Sequence, residues 1–232
     1  MNELWGVVIV AAGRGTRMGT SESKQYLQLG DRPILVHTLE RFQMMKDISE
    51  IVLVVSAEDV ERCQQWRDQY NIMKLKVIIP GGTERQHSVY AGLQHIESSW
   101  VMVHDGVRPF VSEYAVKACC AKAVEHGAAV LAVPVKDTIK QVNSEGVITA
   151  TPDRKSLWAI QTPQAFRHDL LLQAHEDALT KGLLGTDDAM VVEWAGLPVV
   201  VSEGEYTNIK ITTPEDLPWA EQLLSKMDNE IS

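Results

Sequence analysis

Residues 11–24 read AAGRGTRMGTSESK. Glycines at positions 13, 15 and 19 let the main chain come close to an anion, and successive amide N–H groups can cradle phosphate oxygens. Arg17 and Lys24 add full positive charge to the same stretch. The dinucleotide fingerprint fails here, because Met18 stands where the third glycine belongs, and so does the P-loop, because no GK[ST] follows. Gly13-x-Gly15 by itself suits either a phosphate cradle or a plain structural turn. A second group follows at His104-Asp105-Gly106-Val107-Arg108. Asp105 offers a carboxylate that could hold Mg²⁺ or cap a turn. Arg108 could clamp an anion through two parallel hydrogen bonds, or pair with a surface acid. His104 reads as a satisfied hydrogen-bonding group.

Lys210 lies in YTNIKITTPEDL, between Ile209 and Ile211. That pattern predicts a short strand whose lysine points away from the core, close to a sheet end. Thr213, Pro214 and Asp216 have the grammar of a helix start, which leaves Lys210 and Thr212 for function. No GxSxG elbow, HExxH pair or cysteine in a nucleophile setting is present, and no CxxC or Cys/His spacing suggests a metal finger. Basic side chains beside glycine-rich backbone suit direct chemistry at a phosphorus centre better than covalent catalysis.

Such groups act only if the fold brings them together. Short valine-rich runs at 4–12, 51–55, 75–79, 100–103, 128–134 and 198–202 predict strands. Helical spacing covers 58–70, 84–96, 112–126, 167–181 and 187–194, with a last helix from about 214 to 227. A further helix begins at Pro33, with Ile34, Leu35, Thr38, Leu39 and Phe42 on one stripe. Alternating strands and helices mark an α/β fold with a mostly parallel sheet. Ligands then bind beyond the carboxyl ends of the strands, where the segments 12–24, 80–88, 104–109, 186–188 and 208–213 fall. The rhythm breaks at 135–157, a polar stretch with a turn signal at 143–146 between β-like segments 138–142 and 147–150. It predicts a protruding hairpin, either resting on a second subunit or a loose surface insertion. The rest reads as one domain, with the core resuming at 158–161.

Composition narrows the partners. The 22 basic and 31 acidic side chains give a net charge of -9, which repels nucleic acid and anionic membranes at long range. Local basic clusters still permit an anionic substrate. No run approaches 18 apolar residues, and the three cysteines read as reduced thiols of a cytoplasmic protein.

Taken in order, AAGRGTRM, Lys24-Gln25, GGTERQHSV, HDGVRPF, PVKDTIK, TPQAF, TDDA and YTNIKITTPEDL resemble the 2-C-methyl-D-erythritol 4-phosphate cytidylyltransferase family over nearly the whole chain. The resemblance implies a Rossmann-like, glycosyltransferase-A-type nucleotidyltransferase. It implies transfer of cytidylyl from CTP to 2-C-methyl-D-erythritol 4-phosphate, with Mg²⁺, in the non-mevalonate route to isoprenoids. Arg17, Lys24 and Lys210 then fall on the reacting phosphates. Ala11, Ala12, Gly13, Gly15, Gly82, Thr83, Ser88 and Gly106 fall on the nucleotide. Asp105 falls on the metal side and, with Arg108, Thr186, Asp187 and Thr212, on the acceptor. Thr138 and Arg154 reach the acceptor from the arm of the other protomer of a homodimer. Val10 departs from a proline common in relatives, and Thr83 from an aspartate. Three other readings are ribitol-5-phosphate cytidylyltransferase, a dinucleotide-dependent oxidoreductase and a non-catalytic phosphosugar-binding protein.

Overall fold

A computed structural model describes residues 3–13 and 22–231. Its elements follow one another as β1 (Trp5–Ala11), β2 (Gln28–Leu29), β3 (Arg32–Pro33), α1 (Ile34–Met44), β4 (Ile48–Val55), α2 (Val60–Gln69), β5 (Leu75–Pro80), α3 (Arg85–Leu93) and β6 (Trp100–Asp105). Then come α4 (Glu113–His126), β7 (Ala128–Pro134), β8 (Gln141–Val142), β9 (Ile148–Ala150), β10 (Trp158–Arg167), α5 (His168–Thr180), α6 (Asp188–Trp194), β11 (Val200–Glu203) and α7 (Asp216–Ile231). The main sheet is seven-stranded, in the order β11-β7-β10-β6-β1-β4-β5.

Strand β1 is central because both its faces are apolar. Val7, Ile9 and Ala11 pack with Leu35, Leu39 and Phe42 of α1 and Val116 and Cys119 of α4. Val8 faces the other way, onto Val89 and Leu93 of α3 and Leu171 of α5. A parallel sheet covered by helices on both sides needs such double-faced strands. β1 runs parallel to β4 and to β6, with Val8 opposite Val52 and Val103. The carboxyl ends of β1, β6 and, one strand further out, β5 therefore open on the same edge of the sheet.

The stripe expected on α1 is all buried: Ile34, Leu35, Thr38, Leu39 and Phe42. Pro33 itself is the extended cap residue, so the helix starts one position later than its proline suggests. Two larger differences arise. β10 is a ten-residue strand, where the sequence suggested only 158–161, and it runs antiparallel between β6 and β7. Pro163 argues against a central strand because it has no N–H for the ladder. The chain accommodates it at a register shift between Ile160 and Gln164. The expected strand at Lys210 is absent, and Lys210 lies in irregular chain. Ile211 is instead anchored in a small cluster with Val107, Phe110, Ala220 and Leu223, so α7 holds the segment in place.

Helix α7 is assigned from Asp216, two residues after Pro214. The start grammar survives in a tight turn. Asp216 N–H donates to Thr213 O at 3.1 Å, and Asp216 Oδ2 accepts from the N–H groups of Thr212 and Thr213 at 2.8 and 2.9 Å. The hairpin strands β8 and β9 are shorter than 138–142 and 147–150, and every residue in them is exposed. Asn143 Oδ1 closes their turn by accepting from Glu145 and Val147 N–H.

Candidate active site

The edge shared by β1, β5 and β6 opens on a cleft of about 200 Å³. Its wall holds Ala11, Ala12, Gly13, Lys24, Gly82, Thr83, Ser88, Asp105 and Lys210. Lys24 and Lys210, some 190 residues apart in the chain, thus face one space. Gly15 and Arg17 lie outside the described residues.

Glycine is required where these loops touch. A Cβ on Gly81 would fall 2.5 Å from Ala12 Cβ and 2.6 Å from Ser88 Oγ, so any side chain would force the β5 loop off β1. Gly106 is similarly confined: its Cβ would lie 2.9 Å from Ala11 Cβ and 3.0 Å from Leu35 Cδ1. Ser88 Oγ accepts from Gly82 N–H at 3.1 Å and donates to Glu84 O at 3.2 Å, which closes the turn before α3. Gln25, buried behind Lys24, donates from Nε2 to both Ala11 O at 2.8 Å and Gly13 O at 3.1 Å. One amide therefore fixes the start of the glycine-rich loop.

Asp105 ends β6, and its surroundings are built to hold it. Its N–H donates to Thr162 Oγ1 at 3.0 Å, and the Thr162 hydroxyl donates to His104 Nδ1 at 3.1 Å. His104 Nε2–H then donates to Arg108 O at 3.0 Å, which sets the neutral tautomer. Gly106 N–H donates to Val10 O, and Gly106 O accepts from Thr38 on α1 at 3.0 Å. His104 is thus the satisfied hydrogen-bonding group that the sequence suggested.

Burial pushes His104 down from 6.5 to about 4. The unfolded imidazole takes up a proton near 6.5, while the folded one stays neutral until about pH 4. Unfolding therefore binds a proton across that window, and stability falls as pH drops through it, by about 3 kcal/mol in all. Urea midpoints measured from pH 7 to 4 should show this. In His104→Gln the same component of the pH slope should disappear; an unaltered slope would exclude His104 as its source.

Cations crowd Asp105. Lys210 Nζ is 3.0 Å from Oδ2, Arg108 Nε is 3.4 Å from Oδ2, and Arg85 Nε is 3.5 Å from Oδ1. Burial alone would raise this carboxyl, but Arg85, then Lys210 and Arg108, hold it well below the usual carboxylate range. Burial also holds Arg108 below its ordinary value despite Asp105. Its Nη1 donates to Asn208 O at 2.8 Å, which ties the Lys210 segment to β6. Arg85 was not singled out from the sequence. The available signal was its place in GGTERQHSV, opening a helix directly after a strand end.

The remaining candidates do not line the cleft. Asp187 caps α6: Oδ1 accepts from Met190 N–H and Oδ2 from Gln164 Nε2, both at 2.9 Å. Thr186 beside it is exposed, with its hydroxyl on Met190 Sδ at 3.6 Å. Thr212 Oγ1 donates to Asp216 at 3.1 Å. Thr138 and Arg154 are exposed on the arm, where Arg154 Nη1 donates to Lys136 O at 2.7 Å. Neither arm residue lines the cleft of its own chain.

A metal ion can be tested against these donors. Among the described residues no group of three or more His, Cys, Asp or Glu side chains forms a metal site. A carboxylate has about four acceptor positions, and cations face three of those on Asp105. Mg²⁺ commonly uses one or two carboxylates and completes its shell with substrate phosphates and water. The donors fit an ion carried mainly by a polyphosphate, and do not fit an all-protein cage. No helix among the described residues is long and apolar enough to cross a membrane.

Comparison with known proteins identifies the family of the chain. The family model IspD, 2-C-methyl-D-erythritol 4-phosphate cytidylyltransferase, matches residues 6–226. The protein of that name from Desulforamulus reducens is 49% identical over 222 residues, covering 94% of this chain and 95% of its own. The crystal structure of 4-diphosphocytidyl-2C-methyl-D-erythritol synthase from Anaerococcus prevotii superposes with a TM-score of 0.85 at 33% identity, covering 97% of both chains. The 2-C-methyl-D-erythritol 4-phosphate cytidylyltransferase from Thermus thermophilus superposes with a TM-score of 0.79 at 35% identity, covering 97% of this chain and 100% of that one. With a cleft that brings Lys24 and Lys210 together and a match along almost its full length, this chain belongs to the 2-C-methyl-D-erythritol 4-phosphate cytidylyltransferase family.

Proposed function

We propose that this enzyme joins CTP to 2-C-methyl-D-erythritol 4-phosphate, forming 4-diphosphocytidyl-2-C-methyl-D-erythritol and releasing pyrophosphate. The observation that carries the reading is the convergence of Lys24, Arg85 and Lys210 on one cleft at the rim of the parallel sheet. The acceptor phosphate is already ionised near neutral pH, since its second pKa is about 6. It needs no strong general base. The obstacle is that one anion must attack another. An acceptor oxygen bonds to the α-phosphorus in line with the departing bond, and the pair of electrons leaves with pyrophosphate. Arg17, Lys24 and Lys210 offset the charge that develops.

The nucleotide is held by Ala11, Ala12, Gly13, Gly15, Gly82, Thr83, Ser88 and Gly106, mainly through backbone. Mg²⁺, held on the protein side by Asp105, would supply further charge neutralisation at the phosphates. The acceptor is met by Arg108, Thr186, Asp187 and Thr212. Because the carboxylate of Asp187 is committed to its cap, that residue contributes by shaping the loop that presents Thr186. A matrix of four nucleoside triphosphates against erythritol- and ribitol-type phosphates, read by pyrophosphate release, tests the assignment. CTP with the erythritol phosphate should dominate. Preference for the ribitol phosphate would move the chain to the other cytidylyltransferase activity.

Residues 1–232 act as one cytoplasmic nucleotidyltransferase domain, with 135–157 as an arm that enters the partner of a homodimer. Exposed Val142, Val147 and Ile148 on the arm support this, because an isolated two-stranded hairpin is marginal in water. Thr138 and Arg154 then complete the partner's acceptor site. Arg154→Ala should raise the KM for the acceptor about tenfold or more, while CTP binding stays unchanged. Heterodimers of Lys24→Ala and Arg154→Ala protomers should regain activity, since one of their two sites lacks both substitutions. No recovery in verified heterodimers would place each site within a single chain.

A further inference from the structure

Arg85 is shared between two carboxylates. Its Nε lies 3.5 Å from Asp105 Oδ1 in the cleft, and its Nη1 lies 2.8 Å from Asp188 Oδ2 behind it. Asp188 is in the first turn of α6 and its side chain is 1% exposed. Its other oxygen faces His175 Nε2 on α5 at 3.3 Å, and the His175 side chain is 0% exposed. Neither His175 nitrogen nor Asp188 Oδ1 has a hydrogen-bond partner among the described residues. His175 Nε2 and Asp188 Oδ1 thus face each other inside the protein.

The main chain around Asp188 is fixed from a third direction. The N–H groups of Asp188 and Ala189 both donate to Gln164 Oε1 on β10, at 3.1 and 3.0 Å. Gln86, next to Arg85, also grips this loop: Gln86 Nε2 donates to Leu183 O at 3.0 Å, and its Oε1 accepts from Gly185 N–H at 2.7 Å. Asp188 is thus a buried anion clamped in place, and it meets the cleft through Arg85. A buried carboxylate is costly unless it is paired. Its pairing here is with Arg85, a cleft cation that also reaches Asp105.

The consequence concerns Lys210. A guanidinium can clasp a carboxylate through two parallel hydrogen bonds, and an Arg85 free to do so would cover both oxygens of Asp105. Asp188 holds Arg85 by its far end, so Arg85 meets Asp105 only through Nε, on Oδ1. Oδ2 is left to Lys210 and Arg108. We propose that Asp188, backed by His175, is a positioning residue for the transfer reaction: it holds Arg85 turned partly away from Asp105, so that Lys210 stays seated at the cleft.

The proposal rests on the cytidylyl-transfer reading, and its test separates the two. Turnover with CTP and 2-C-methyl-D-erythritol 4-phosphate is compared for wild type, Asp188→Asn, Arg85→Gln and the double variant, alongside a crystal structure of Asp188→Asn. Displacing a reacting group by about 1 Å costs about 100-fold in rate. Asp188→Asn should lower kcat by about that much, with the KM for CTP changed by less than about threefold. The double variant should be no slower than the slower single variant, because without the Arg85 guanidinium Asp188 has nothing left to hold. In the crystal, Arg85 should lie bidentate on Asp105.

Wild-type kcat in folded Asp188→Asn overturns the proposal, and so do multiplicative losses in the double variant. Arg85 unmoved in the crystal overturns it whatever the activity. If Asp188→Asn does not fold, His175→Asn leaves the Asp188 and Arg85 side chains themselves unaltered and is read in the same way by kinetics and crystallography. An inactive wild type would sink the cytidylyl-transfer reading, while the position of Arg85 would still decide this one.

Discussion

Replacing Lys210 by alanine should lower kcat by about 100- to 1000-fold at saturating CTP and Mg²⁺, equivalent to about 3 to 4 kcal/mol of transition-state stabilisation. Lys210 Nζ sits 3.0 Å from Asp105 and borders the cleft, on a segment fastened from both sides. Ile211 is buried under α7, and Asn208 O receives Arg108. On the proposed reading the ammonium is held at the cleft before the phosphates arrive, and its placement costs little at the moment of reaction. The KM for CTP should change less than kcat, because the contact strengthens as charge develops during transfer. Steady-state kinetics by pyrophosphate release would measure this. A variant with near wild-type kcat and only a raised KM would make Lys210 a ground-state binding group instead.

Asp105→Ala is expected to cost the folded protein about 3 to 5 kcal/mol, the usual penalty for removing one member of a buried ion pair. Its three cationic neighbours do not lose equally. Arg85 keeps Asp188 at 2.8 Å, and the half-exposed Lys210 can turn to water. Among the described residues Arg108 keeps only the Asn208 carbonyl, with its side chain 11% exposed. It becomes a buried charge with no carboxylate, and this dominates the loss. Domains of this kind are stable by about 5–15 kcal/mol, so the variant should still fold but unfold at clearly lower urea. A loss below about 1 kcal/mol would mean that Arg108 reaches solvent once Asp105 is gone, and that Asp105 is not its structural counter-charge.

The same crowding explains why the site was only partly legible in the sequence. Lys24, Asp105 and Lys210 could be selected because each stands next to a predicted strand end or glycine-rich turn, and ligand sites in such sheets gather there. Arg85 carried a comparable local signal, but its importance comes from Asp188, 103 positions away. Nothing in the local pattern of TDDA separates Asp187, which caps a helix, from Asp188, which is buried against a cation. Gln25 and Gln164 likewise became recognisable only once the chain had folded around their amides.

Local pattern alone determined the α/β alternation, the buried stripe of α1, the double-faced apolar strands and the turn of the arm. Each depends on a periodicity or a turn chemistry confined to a few neighbouring residues. Only the tertiary structure decided that β10 runs antiparallel through the middle of the sheet, with Pro163 set at a register shift. It also decided that Lys210 needs no strand to reach Asp105, and that Arg85 is divided between two acids. Strand pairing and buried charge pairing both join residues far apart in the chain, and the energies that select them exist only after the apolar faces have closed.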